Sequence, residues 1–162
     1  MIRGDRVKVS VRVEVPRERA FVLFTEHIDR WWRRGYRFRA SGQDRGVLHL
    51  EPHVGGRLFE SWEHDGQTRV VATGTVERWE PPALLELTWR NVNFREHEAT
   101  TVVVTFVDQG SSTMVTVEHT GWASLPPDHP ARHGLDARGF VSMMGRWWAD
   151  LLTGLREHAA SR

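Results

Sequence analysis

Val7, Val9, Val11, Val13 and Val15 alternate with Lys8, Ser10, Arg12 and Glu14. A period of two predicts a strand with one buried face. Pro16 ends it and opens a helix, because the N–H that proline lacks has no intrahelical partner in a first turn. Phe21, Leu23, Phe24 and Ile28 give this helix an apolar side. A bend is expected near Glu26–Asp29, with a brief continuation through Trp31 and Trp32. Residues 33–46 are polar and punctuated by glycine, and read as a loop.

Six strands are expected next. Val47–Leu50 is short, Gly55-Gly56 is a turn, and Arg57–His64 is a strand. Asp65-Gly66 is a hairpin signal, since both residue types tolerate the positive φ that tight turns need. Arg69–Trp79 is a long strand in which Gly74 marks a bulge or a close backbone approach. Pro81-Pro82 breaks it. Leu84–Arg90 alternates with Leu85, Leu87 and Trp89 inward, Thr100–Val107 follows, and the turn 108–112 leads to Thr113–Thr120. Short spacings with turn chemistry between them imply an antiparallel meander.

Residues 121–135 form a loop, and the period then becomes helical. Phe140, Met143, Met144, Trp147, Trp148, Leu151, Leu152 and Leu155 recur every three or four positions. Asp136 is a suitable N-cap. The helix should run about 23 residues, or roughly 35 Å. The fold class is therefore α+β, a curved antiparallel sheet wrapped around a long C-terminal helix, with two short helices after the first strand. The sheet and the helix each have one apolar side, and the economical arrangement buries both together. The length, 162 residues, suits one domain over 1–162.

Composition narrows the function classes. There is no cysteine, which excludes disulfides, thiolate metal sites and a cysteine nucleophile. Net charge is +1, from 22 basic and 21 acidic residues, whereas a nucleic-acid binder would show a larger basic excess. No apolar run is long enough to span a membrane. The opening MIRGDRVKV lacks a secretory signal, so a cytoplasmic location is expected. Eight Trp and nine His are unusual in a chain of this size. So many indoles suggest a wide interior or an adhesive surface.

Several segments resemble one family. PRERAFVLFT (Pro16–Thr25), the Trp31-Trp32 pair, EPHVGGRLFESW (Glu51–Trp62), GTVERWEPPALLELTW (Gly74–Trp89) and VTVEHTGW (Val115–Trp122) follow one another in the expected order. Together they resemble the START/SRPBCC superfamily, also called helix-grip or Bet-v-like. The subgroup is the one named after the activator of Hsp-ninety ATPase. The resemblance implies a cavity between the sheet and the long helix. It does not settle function, because the same fold serves binding, cyclisation and cochaperone work.

The aromatic and Met residues that could line such a cavity are Trp31, Trp32, Phe59, Trp79, Trp89, Phe106, Trp122, Phe140, Met143, Met144 and Trp147; each could equally fill the core. Strand parity with Val115 and Val117 turns His119 inward, as a satisfied core histidine, a polar anchor for a ligand, or an acid/base. If Phe59 points inward, so does Arg57, which could then meet a ligand's carboxylate or phenolate. The stretch Arg30–Arg39 mixes arginine with rings, but Glu26 and Asp29 adjoin it. A lid over the cavity mouth fits it better than a nucleic-acid surface, with a solvated loop as the other alternative. His129/His133 and His49/His53 match no metal motif, and neither metal nor cofactor is expected. The leading expectation is a carrier or sensor for an apolar small molecule (lipid, polyketide or aromatic), with no catalytic residue assigned. The alternatives are a polyketide cyclase/aromatase-like or hydrolase-like enzyme, with His119 transferring protons, and a protein-interaction module such as a chaperone partner or homodimer.

Overall fold

The computed structural model describes residues 6–41, 46–90, 94–126 and 128–161. The order is β1 (Arg6–Val13), α1 (Arg17–Thr25), α2 (Ile28–Trp31), β2 (Val47–Leu50), β3 (Arg57–His64), β4 (Gln67–Glu80), β5 (Leu84–Trp89), β6 (Thr100–Asp108), β7 (Thr113–Thr120) and α3 (Ala137–Ala160). Single 3-10 turns lie at Trp122–Ser124 and Pro130–Arg132. The expected helix-grip architecture is present, with element boundaries within a few residues of those read from the pattern.

The strands form one seven-stranded antiparallel sheet in the order β1-β7-β6-β5-β4-β3-β2. The chain leaves β1 for α1 and α2, crosses to the far edge at β2, and meanders back until β7 pairs with β1. Alternation decides the faces. On β7, Thr113, Val115, Val117 and His119 are fully buried. Helix α3 packs along β1 and presents Phe140, Met144, Trp148, Leu151, Leu152 and Leu155, all buried, at helical spacing. Each such side chain contributes roughly 1.5–3 kcal/mol on leaving water. Asp136 caps α3, its carboxylate accepting from Gly139 N–H at 2.7 Å.

Two glycines record close approaches. A Cβ at Gly74 would lie 2.5 Å from the Thr88 carbonyl oxygen on β5. The β3–β4 register slips beside it, Leu58 pairing with Gly74 and Phe59 with Ala72, so Thr73 bulges. On α3, a Cβ at Gly154 would lie 2.7 Å from the carbonyl oxygen of Trp31. Only glycine lets α3 and α2 approach this closely.

Candidate functional site

Helix α3 and the sheet close on each other along most of their length but part near β3 to β5. A cleft of about 540 Å³ opens there. Met143, Met144 and Trp147 of α3 form one wall. Leu58 and Glu60 of β3, Thr73 of β4 and Trp89 of β5 form the opposite wall. Trp32 and the segment Tyr36–Ala40 close the side, and Ala131 and His133 sit at the approach to α3.

The indoles hold this side wall in place. Trp32 donates its N–H to the Phe38 carbonyl at 2.9 Å, and Trp147 donates to the Arg37 carbonyl at 2.6 Å. Trp32 stacks on Trp89 with ring centres 6.0 Å apart, and Phe38 stacks on Trp147 at 5.8 Å. The four rings make an aromatic enclosure in which the long-range pairs are ring on ring.

Arg39 anchors the segment from behind. Its Nη1 donates to Asp29 Oδ1 at 2.6 Å and to the Gly46 carbonyl at 3.1 Å. Its Nη2 donates to the carbonyls of Asp29 at 2.9 Å and Trp32 at 2.6 Å. Its Nε donates to the Arg33 carbonyl at 3.1 Å. All five guanidinium donors are thus used. Burial would raise the Asp29 carboxyl, but the Leu48 N–H and the Arg39 guanidinium together hold it below its ordinary value. The stretch Arg30–Arg39, expected as a lid, is therefore a tied wall at the side of the cleft.

Glu60 is the acidic group of the cleft. It is 3% exposed, and its carboxylate accepts from the N–H groups of Ala40 at 2.8 Å and Ser41 at 3.0 Å. A Cβ on Gly46 would fall 1.9 Å from Glu60 Oε2, so the backbone there must pass without a side chain.

His119 lies outside the cleft. Trp148 donates its indole N–H to His119 Nδ1 at 3.1 Å, so the ring proton sits on Nε2. Nε2 then donates to Thr100 Oγ1 at 2.7 Å, and that hydroxyl donates to the Trp89 carbonyl at 3.1 Å. Both ring nitrogens are used, and burial pushes the imidazole pKa down to about 3. The arrangement suits a neutral core histidine.

Of the residues expected to line a cavity, Trp32, Trp89, Met143, Met144 and Trp147 come together at the cleft. The others are placed elsewhere. Trp31 is buried against Phe24 and Trp32. Trp79 and Phe106 pack on Phe21 beneath α1. Trp122 and Phe140 pack together near the start of α3. Arg57 and Phe59 face the opposite side of the sheet, a correction to the conditional inward reading. Leu58 and Glu60 are the buried pair on β3, and alternation sends their neighbours outward. There Arg57 Nε pairs with Glu51 at 3.0 Å and the guanidinium covers the Phe59 ring at 4.6 Å. His49 stacks on the same ring.

Leu48, Leu58, Glu60 and Thr73 join the cleft without being expected as lining from the sequence; Tyr36 and Phe38 belong to the stretch Arg30–Arg39 expected over the cavity mouth, and His133 stands out in the sequence only as a metal-ligand candidate. For Leu58 and Glu60 a signal existed, since Leu58 and Trp62 share a parity that excludes Phe59.

Two other polar clusters occur. Buried His129 donates from Nε2 to Glu98 at 2.8 Å, while its Nδ1 accepts from Ala131 N–H at 3.0 Å. The Arg95 N–H, opposed by burial and aided by His129, holds the Glu98 carboxyl low. His27 and His158 approach at 3.1 Å between α1, α2 and the end of α3. Burial, then Arg30 and Arg19, lowers both. Among the described residues no group of three or more His, Asp or Glu is placed to hold a metal ion, and no helix is long and apolar enough to cross a membrane.

Comparison with known proteins places this geometry. No curated protein matches the chain. Solved structures do. An HSP90 activator from Plasmodium falciparum superposes with a TM-score of 0.64 at 18% identity over 94% of each chain. A protein of Nitrosomonas europaea reaches 0.65 at 15% identity, covering 98% of this chain and 96% of its own. DynU16, from the dynemicin biosynthetic locus, reaches 0.61 at 18% identity, over 95% of this chain and 46% of its own. At these identities the likeness is one of fold. The family model described as activator of Hsp90 ATPase homolog 1-like protein matches residues 14–157, and the chain belongs to that family.

Proposed function

We propose that this protein binds a small, largely apolar molecule, aromatic or lipid-like, in the cleft between α3, β3–β5 and the Tyr36–Ala40 wall, and acts as a carrier or sensor. One observation carries the reading. An opening of about 540 Å³ is walled by Trp32, Trp89, Trp147, Met143 and Met144, where the rest of the helix–sheet interface is packed. Open apolar concavities with a few polar groups are the usual form of small-molecule sites. A guest that buries about 200 Å² of apolar surface would gain roughly 5 kcal/mol before association costs, which corresponds to binding no tighter than about 0.2 mM from apolar burial alone. Binding is favoured over proton-transfer catalysis because His119, the acid/base suggested by the sequence, is enclosed and has both nitrogens engaged.

The test is a fluorescence titration with naphthylmethanol. Three Trp line the cleft, so a saturable change in tryptophan emission is expected. Met143→Trp would narrow the cleft from α3 and should weaken the response while the melting temperature stays close to wild type. A linear, non-saturating response in the wild type would refute the reading. Native mass spectrometry of protein purified from its own host would then identify the guest's chemical class.

A further inference from the structure

We propose that the guest carries a protonated amine, and that Glu60 is the group that receives it. This inference rests on the binding reading above. A carboxylate only 3% exposed is costly to keep in an aromatic cleft unless its charge is met. Glu60 has about four acceptor positions, and the N–H groups of Ala40 and Ser41 fill two of them. Among the described residues no Lys, Arg or His lies within ion-pair distance of it.

The cations nearest the cleft are committed elsewhere. Arg39 is completely buried at its side chain and has no free donor. Arg37 lies at the rim, paired with Asp150 at 3.4 Å and laid over the Phe38 ring at 5.0 Å. Neither is available to an anionic head deep in the cleft, and Glu60 would repel one.

The walls point the same way. The indole N–H groups of Trp32 and Trp147 are used on backbone carbonyls, so these rings offer a guest their π surface rather than a donor. Rings and a carboxylate lining one cleft form a setting for an ammonium group, attracted by both the quadrupoles and the charge. A divalent metal ion is a poor alternative, because it requires several oxygen ligands and, among the described residues, Glu60 is the sole carboxylate lining the cleft.

Naphthylmethylamine, naphthylmethanol and naphthoate share one ring body and differ in the head. Their affinities for the wild-type protein are to be measured by calorimetry near neutral pH, and again for Glu60→Gln. The amine is expected to bind at least about tenfold tighter than the alcohol, as suits a charge-assisted hydrogen bond, and the acid weakest. Glu60→Gln should remove the amine's advantage over the alcohol, the two then binding alike. An amine no tighter than the alcohol in the wild type overturns this inference while leaving the cleft reading intact. Failure of all three to bind overturns both. The wild-type series decides the matter even if Glu60→Gln loosens the backbone at Ala40 and Ser41 and melts early.

Discussion

Trp148 and His119 are joined by an indole-to-imidazole hydrogen bond of 3.1 Å in the centre of the protein, between α3 and β7. With Thr100 on the other ring nitrogen, the imidazole is held neutral and out of reach of the cleft. Its pKa is lowered by burial to about 3, against 6.5 unperturbed. The unfolded chain therefore binds a proton here that the folded chain refuses. The contribution to stability is fully present above about pH 6.5 and is lost as pH falls from there toward 3, at about 1.4 kcal/mol per pH unit. His27 and His158 shift in the same direction and add to the slope. Urea denaturation at pH 7.5 and pH 5.5 should show this loss. His119→Ala should cost about 3 kcal/mol at neutral pH, remove this residue's part of the slope, and leave guest affinity nearly unchanged. A strong loss of affinity in a folded variant would give His119 a role in binding.

Arg39 and Asp29 hold the side wall of the cleft together. Arg39→Met should cost about 3 kcal/mol, because it removes the Arg39 donors from the Asp29 carboxylate and from four backbone carbonyls. It should also weaken guest binding, since Phe38 and Ala40 depend on the same anchor. The Asp29 carboxyl is held below its ordinary value, so the pair's contribution persists above about pH 4 and fades below it. Asp29→Asn should flatten that acidic limb in a melting-temperature profile. Guest affinity unchanged in folded Arg39→Met would separate the wall from the site.

Gly154→Ala tests the contact between α3 and α2. In an open helix the change would gain about 1 kcal/mol. Here the new methyl meets the Trp31 carbonyl oxygen at 2.7 Å, and the helices must part. A net loss of about 1–3 kcal/mol is expected in chemical denaturation. A stabilised variant would mean the approach is looser than described.

Much of this fold is legible in the sequence because its signals are local. The valine alternation of β1, the Asp65-Gly66 turn and the Asp136 cap each act within a few residues. His119 is placed inward by parity with Val115 and Val117 alone. Phe59 misleads because its bulk suggests burial, while Leu58 and Trp62 fix the opposite parity and carry Glu60 inward between them. The cleft itself is not local. Its side wall depends on Arg39 reaching back to Asp29 and on Trp147 reaching Arg37 from the far helix. No spacing along the chain encodes such contacts, so the stretch Arg30–Arg39 could be placed over the cavity mouth but not recognised as a wall tied to α3 and Asp29.

The most direct test is a nuclear magnetic resonance titration of the labelled protein with naphthylmethanol, following indole N–H and methionine methyl signals. Saturable shifts should appear at Trp32, Trp147, Met143 and Met144, with Trp148 and Trp31 little changed. Shifts absent at saturating probe, or centred on Trp148 and His119, would contradict a guest site in this cleft.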